Sequence, residues 1–251
     1  MADRDAWIVP DWPAPAAVRA VVTTRAGGTS TGPYATWNLG DHVGDDPAAV
    51  AANRALLGRV LGAAGPVLWL RQVHGTRVIP AHRWRPGIAA DGSWCDGPGP
   101  VCAVLTADCL PVLLCRRDGG AVAAVHAGWR GLAAGVIEAA VAALGDDPGA
   151  LLAWLGPAIG AAAYEVDGAV RDAFVASDEG AAGAFTVTRP GHWRADLDLL
   201  ARRRLAEAGI EAVHGGGYCT ASDDGRFFSY RRDGVTGRMA SLVWIAGADA
   251  G

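Results

Sequence analysis

Short apolar runs separated by polar turns dominate the hydrophobic pattern of this chain. Residues 18–25 (VRAVVTTR) alternate and are rich in β-branched side chains, which predicts a strand ending at Arg25. The central runs 101–109, 111–116 and 121–128 are apolar at most positions, which predicts buried strands of one sheet. The same reasoning predicts further strands at 67–75, 151–156 and 239–247.

Three segments carry the signals of helices. Asp46 followed by Pro47 supplies an N-cap and a proline at the first helical position. Helical spacing of apolar residues predicts two more helices, over about 129–144 and 196–208. The segment 26–47 is rich in Gly, Ser, Thr, Asn and Asp, and loops of this length are commonly functional.

The elements do not alternate regularly between strand and helix. This favours an α+β layered sandwich over a doubly wound parallel sheet. The chain has 251 residues, of which 51% are hydrophobic and 19% charged, so we expect a sizeable core. No repeat or long linker divides the sequence, and we therefore expect one domain over residues 1–251.

Composition also limits the partners of the chain. A net charge of −4 without a basic block argues against nonspecific nucleic-acid binding. No uninterrupted apolar run is long enough to cross a membrane, and the polar N-terminus does not resemble a signal peptide. The 5 cysteines form no CxxC pair, which is typical of free thiols in a reducing compartment. We therefore expect a cytoplasmic protein without nucleic-acid or membrane partners.

Three reactive side chains lie beside glycines or at the ends of apolar runs. They are His74 in RQVHG, Cys109 in TADCLP and His126 in AVHAGWRG. Two imidazoles and a thiol leave one tetrahedral position of a zinc ion open, as in catalytic zinc sites. The same trio could instead pair a thiol nucleophile with a histidine base. Both alternatives predict an enzyme.

A series of motifs resembles the YfiH-type family over nearly the whole chain. In order, they are TTRAGGTS, NLGDHVGDDP, QVHG, TADCLPVLL, AVHAGWRGLAAGV, LGPAIG and SYRRDGVTGR. Members of that family have been called laccase-like polyphenol oxidases and are also described as purine nucleoside phosphorylases with adenosine deaminase activity. The resemblance implies a four-layer α/β/β/α sandwich. It also implies purine nucleosides and phosphate as substrates, namely adenosine and inosine, with guanosine and S-methyl-5′-thioadenosine as further candidates.

The resemblance also implies a set of site residues. The expected metal ligands and catalytic groups are His74, Cys109 and His126, with zinc as the cofactor and copper as a possible substitute. The expected additional residues are Asp108, which could orient a histidine, Arg25 for phosphate, Asn38 for ribose or base, and His42 near the cleft. Arg231, Arg232 and Arg238 are interpreted as structural residues, and no role is assigned to His82, His192 or His214. The segment AADGSWCD (89–96) is more polar than in relatives, which leaves the role of Asp91 open.

Three alternatives to a nucleoside enzyme follow from the same residues. A copper-dependent polyphenol oxidase is disfavoured, because the 6 histidines include no HxH pair and Met239 is the only methionine after Met1. A metal-free cysteine hydrolase would use Cys109 as the nucleophile, and for such an enzyme the family resemblance implies a role in peptidoglycan editing. A non-enzymatic binding module is the weakest alternative, because it would give the reactive side chains of His74, Cys109 and His126 no chemical role.

Overall fold

The computed structural model describes residues 7–62, 64–145 and 147–247. The strands are β1 Val18–Val22, β2 Val67–Leu68, β3 Val78–Pro80, β4 Gly92–Cys95, β5 Val101–Thr106, β6 Leu110–Arg116, β7 Val122–Ala127, β8 Leu151–Leu155, β9 Glu165–Asp167, β10 Phe185–Arg189, β11 His192–Ala195, β12 Val213–Gly215 and β13 Met239–Ile245. The α-helices are α1 Pro47–Leu61, α2 Trp129–Ala134, α3 Val136–Leu144, α4 Gly168–Val175, α5 Leu197–Glu207 and α6 Tyr230–Asp233.

Two mixed sheets form the middle of the molecule. One sheet has four strands in the order β1-β13-β5-β2, and the other has six in the order β12-β8-β6-β7-β4-β3. Most neighbouring strands are antiparallel, while β2 with β5, β3 with β4 and β12 with β8 are parallel. A separate three-stranded sheet has the order β10-β11-β9.

Strand alternation divides the buried side chains among three hydrophobic layers. In β5, Cys102 and Val104 face the six-stranded sheet, while Ala103 and Leu105 pack with Leu57 of α1. The resulting core lies on both faces of each main sheet. This explains why the central runs are apolar at successive positions instead of every second one.

The outer face of the six-stranded sheet is covered by α2, α3, α4 and α5. On that face, Val112 and Leu114 of β6 and Val125 of β7 pack with Ile137 of α3 and Leu200 of α5. With α1 on the opposite side, the layers are helix, sheet, sheet and helix. The predicted α/β/β/α sandwich is confirmed, whereas the assignment of 1–251 to a single domain stays a prediction.

Local helix signals correspond closely to the structure. The Asp46 carboxylate accepts a hydrogen bond from Ala48 N at 2.9 Å and caps α1, as predicted. Asp196 caps α5 in the same way by accepting from Leu199 N. The predicted helix 129–144 is interrupted at Gly135, whose φ of 100° lies in the left-handed region, and it forms α2 and α3.

Two strand predictions were wrong in instructive ways. β5 belongs to the four-stranded sheet, whereas β6 and β7 belong to the six-stranded sheet, so the three central runs do not share one sheet. Within the predicted strand 67–75, the structure has a strand at Val67–Leu68 and a single parallel bridge from Arg71 to Ala89. After that point, side chains of Gln72 and Asp91 take up main-chain hydrogen bonds that a strand neighbour would otherwise satisfy.

Candidate active site

Two of the connections that cross between the main sheets each carry a member of the trio. His74 lies between β2 and β3, and Cys109 lies between β5 and β6. His126 is the penultimate residue of β7, whose neighbours Val125 and Ala127 face the outer helices. Because successive side chains of a strand point to opposite faces, His126 faces the gap between the sheets.

His74, Cys109 and His126 converge at this point. Their ligand atoms all lie within 4.8 Å of one another, and Cys109 Sγ is 3.9 Å from His74 Nε2. The two imidazole rings meet edge to face, with centroids 4.8 Å apart. Gly128 makes this approach possible, because a Cβ there would lie 2.9 Å from His74 Cδ2 and 3.1 Å from Cys109 Sγ.

Asp91 is the residue that fixes the geometry of both histidines. Its Oδ1 lies 2.9 Å from His126 Nδ1, and its carboxylate accepts main-chain hydrogen bonds from Val73, His74 and Gly75. A carboxylate at Nδ1 leaves Nε2 of His126 as the nitrogen available to the trio. The main-chain bonds hold the turn of His74, whose φ is 59°.

The ionised forms of Cys109, His126 and Asp91 stabilise one another. Burial opposes ionisation of Cys109, but the imidazoles of His126 and His74 outweigh it and lower the pKa of the thiol to about 6. Burial likewise disfavours the imidazolium form of His126, yet the Cys109 thiolate and the Asp91 carboxylate raise its pKa to about 9. Burial would raise the pKa of Asp91, whereas the hydrogen bonds from His126 and Gly75 hold it below its ordinary value. The site therefore stabilises a thiolate at neutral pH.

The trio forms part of the wall of a cavity of about 380 Å³. This volume lies within the range of small-molecule sites. Trp129 and Tyr164 contribute aromatic rings, and Arg231 and Arg238 contribute cations. Burial raises the pKa of Tyr164 to about 12, so its phenol is neutral at physiological pH.

Asp108 lines the cavity, but among the described residues its carboxylate bonds to Thr220 and to the main chain of Arg231 and to no histidine. Its Oδ1 accepts from Thr220 Oγ1 and its Oδ2 accepts from Arg231 N, each at 2.6 Å. These bonds hold the turn before Cys109, in which Asp108 has a φ of 95°. Its expected catalytic role stays a prediction.

The three expected substrate residues occupy different surroundings. His42 lines the cavity. Asn38 is buried, and its side-chain amide binds main-chain atoms of Gly40 and Arg238. Arg25 does not line the cavity; its guanidinium donates to the carbonyls of residues 35 and 224.

The sequence assigns no chemical role in the site to three residues that the structure places there, namely Asp91, Gln72 and Arg238. The sequence does not reveal the role of Asp91, because its hydrogen-bond partners are separated from it by up to 35 positions. Gln72 pairs with the main chain of Leu105 through both amide atoms, at 2.7 and 2.8 Å. Arg238 lines the cavity although it resembles an ordinary structural arginine in the sequence. The pattern of residues in SYRRDGVTGR does not indicate which guanidinium faces a cavity.

Comparison with known proteins shows which family this chain belongs to. The family model described as "Multi-copper polyphenol oxidoreductase laccase" matches residues 19–246. The chain is similar to purine nucleoside phosphorylase PA4543 of Pseudomonas aeruginosa, with 56% identity covering 96% of this chain and 99% of that protein. It is also 50% identical to purine nucleoside phosphorylase YfiH of Escherichia coli K12, covering 95% of this chain and 98% of that protein. The chain belongs to the YfiH-type family.

Solved structures of related proteins share the fold. Protein NMB0706 of Neisseria meningitidis has a TM-score of 0.94 at 50% identity, covering 96% of this chain and 100% of that one. YlmD of Geobacillus stearothermophilus has a TM-score of 0.88 at 30% identity, covering 98% of each chain. The described residues contain no helix that is long and apolar enough to span a membrane.

The donor set of the trio suits a zinc ion. Tetrahedral coordination with typical Zn–S and Zn–N bonds places sulfur and nitrogen ligands about 3.6 Å apart. The 3.9 Å separation of Cys109 Sγ and His74 Nε2 is close to that value. The thiolate-favouring surroundings and the carboxylate behind His126 are also features of metal-binding residues.

Proposed function

We propose that this protein is a cytoplasmic purine nucleoside phosphorylase that also deaminates adenosine. Adenosine and inosine are the proposed main substrates, and guanosine and S-methyl-5′-thioadenosine are further ones. The proposal depends chiefly on one observation: His74, Cys109 and His126 converge on the wall of a cavity that also offers aromatic rings and cations. The names of the Pseudomonas and Escherichia relatives support the phosphorolysis activity.

Each reaction has defined bond changes. Phosphorolysis breaks the bond between C1′ of the sugar and the purine nitrogen, and a phosphate oxygen forms the new bond to C1′. The purine leaves with the bonding electrons and takes up a proton. Deamination adds water at C6 of adenine and releases ammonia. Both reactions need a cavity that holds the purine and excludes bulk water.

The trio is the proposed metal site, with zinc as the cofactor and copper as a substitute. A zinc ion would supply a Lewis acid and lower the pKa of water. Cys109 would bind as a thiolate, and the Asp91 hydrogen bond would keep Nε2 of His126 directed at the metal. Zinc also needs an open ligand position for catalysis, which a three-residue site provides.

The remaining cavity residues are proposed to bind and orient the substrates. Trp129 and Tyr164 can stack on the faces of the purine, an interaction that suits every base. His42 reaches the cavity directly, whereas Asn38 supports the loop that carries it. Asp108 is proposed to position Cys109 through the turn that it stabilises.

A metal-free cysteine hydrolase is a second candidate function, because the surroundings of Cys109 and His126 favour a thiolate beside an imidazolium. Asp91 would then act as the third member that orients the histidine. The copper oxidase alternative lacks comparable support, because the described residues place one His/Cys/His group together and offer no second group of metal ligands.

Replacing the thiol tests the proposal. Cys109→Ala should lose phosphorolysis and deamination together and should also lose bound zinc. Cys115→Ala is the matched control, because Cys115 is buried in β6 and faces the core between the sheets. Both variants are assayed with adenosine and inosine, with and without phosphate, alongside zinc stoichiometry and thermal unfolding. Full activity in folded Cys109→Ala would contradict the proposed site. Activity of the wild type that does not depend on zinc would favour a metal-free mechanism in which Cys109 is the nucleophile.

A further inference from the structure

Arg238 is a half-buried cation on the cavity wall that forms no ion pair with a carboxylate of the described residues. Its Nη1 donates to the main-chain carbonyls of Thr236 and Gly237. Within the described part of the chain, no carboxylate oxygen lies within 4.0 Å of its guanidinium nitrogens. Burial lowers the pKa of Arg238 from its ordinary value and outweighs the opposing attraction of Cys109 and Asp108. A desolvated guanidinium with unused donors favours the binding of an anion.

The loop that carries His42 is attached directly to Arg238. Asn38 Oδ1 accepts a hydrogen bond from Arg238 N at 2.9 Å, and Leu39 N donates to Arg238 O at 3.1 Å. Gly40 permits the close contact, since a Cβ there would lie 2.8 Å from Arg238 Cγ. These contacts hold two nitrogen-bearing side chains at one part of the cavity.

His42 is placed to respond to an anion. Burial and the Arg238 cation lower the pKa of His42, and Arg54 adds to the effect. The Asp41 carboxylate, with Oδ1 at 3.5 Å from His42 Nδ1, opposes them. A phosphate beside Arg238 and His42 would reverse this balance, because a nearby negative charge stabilises the protonated imidazole.

We propose that Arg238 and His42 form the binding site for the phosphate that attacks the nucleoside, in the same cavity as the trio. The assignment rests on the proposed phosphorylase function and specifies where its second substrate binds. Electrostatic interaction between Arg238 and the Cys109 thiolate is consistent with their sharing this cavity. The site can recognise phosphate by charge and hydrogen bonds without contacting the purine.

The two other candidate arginines fit this role less well. Arg231 lines the cavity, but its guanidinium stacks over the Tyr164 ring at 5.1 Å and donates to Glu165 O. Arg25 lies outside the cavity and stacks over Phe228 at 4.9 Å. The sequence prediction that Arg25 binds phosphate is therefore a direct competitor of the present assignment.

Phosphate kinetics distinguish the two assignments. Arg238→Met should raise the KM for phosphate by about 10-fold to 100-fold, the loss expected for a charge-assisted contact. The nucleoside KM and zinc stoichiometry should change by less than about twofold, and Arg238→Lys should recover part of the phosphate affinity. Arg19→Met, at an exposed position of β1, removes the same charge as a control. An unchanged phosphate KM in Arg238→Met, or a selective increase in Arg25→Met, would overturn the assignment.

A binding measurement separates this assignment from the proposed function. In NMR titrations of the zinc-loaded protein with inorganic phosphate and no nucleoside, the pKa of His42 should rise. The rise should be lost in Arg238→Met, and His42→Gln should weaken phosphate binding measured by calorimetry. If the wild type catalyses no phosphorolysis but shows this rise, the function fails and the anion site stands. If phosphorolysis occurs and His42 does not respond to phosphate, the site fails and the function stands. His42→Gln also provides a test if Arg238→Met does not fold.

Discussion

Nδ1 of His126 lies 2.9 Å from Oδ1 of Asp91, and both side chains are buried. The same carboxylate accepts main-chain hydrogen bonds from the turn of His74. One acidic residue thus sets the tautomer of one candidate ligand and the backbone position of another. This arrangement links the connection that carries His74 and the strand that carries His126 to a single buried charge.

Asp91→Asn should lower zinc affinity by about 10-fold to 100-fold, the usual effect of losing an outer-sphere carboxylate. The donors around Asp91 use both of its carboxylate oxygens, whereas the side chain of asparagine has only one oxygen that can accept. The turn that carries His74 should therefore also loosen. Competition with a chromophoric chelator measures the affinity. Asp118→Asn is the control, because Asp118 is an exposed residue that pairs with Arg116. Wild-type zinc affinity in folded Asp91→Asn would contradict the prediction.

Gly128→Ala should disrupt the trio while leaving the backbone fold intact. Its φ of −61° and ψ of 153° are accessible to alanine, so the new methyl group acts chiefly through contact with His74 and Cys109. We expect at least about a tenfold loss of zinc affinity. Gly75→Ala is a neighbouring comparison, because its Cβ would meet Asp91 at an ordinary 3.5 Å. Equal effects of the two substitutions on zinc affinity would argue against the steric explanation.

Local sequence signals predicted the helices better than they predicted the sheets. Asp46 and Asp196 mark helix starts because capping involves residues only a few positions apart. The membership of β5 in a different sheet from β6 has no such local signal, because strands buried on both faces lack alternation. The turn at Asp108 separates the sheets, but an aspartate in a turn does not specify which sheet follows.

The candidate site shows the same limit. The motifs carrying His74, Cys109 and His126 suggested their joint chemistry, and the structure brings them together. The choice among arginines was not accessible from sequence, since Arg25 and Arg238 both lie near glycines in polar segments. Only the fold shows that Arg238 lines the cavity and that Arg25 does not.

Gln72→Leu should destabilise the protein by about 1–3 kcal/mol, because it leaves the N–H and the carbonyl of buried Leu105 without their side-chain partners. Chemical denaturation measures the change in the free energy of unfolding. Gln72→Glu should have a smaller effect at low pH than at neutral pH. A protonated carboxyl group restores the lost donor, whereas a carboxylate offers only acceptors. Equal stability of Gln72→Leu and the wild type would show that water replaces both bonds.

Cys109 in the metal-free protein should react with iodoacetamide about half-maximally near pH 6. Its pKa of about 6 means that the nucleophilic thiolate forms above this pH and is lost below it. Burial raises the pKa of Cys115 to about 12, so that residue should stay unmodified at pH 7 and serves as the internal control. Peptide mapping by mass spectrometry after short pulses gives both rates. Added zinc should protect Cys109, since a coordinated thiolate is a poorer nucleophile. A rate for Cys109 that rises only above about pH 8.5, the ordinary thiol pKa, would show that His74 and His126 do not stabilise its thiolate.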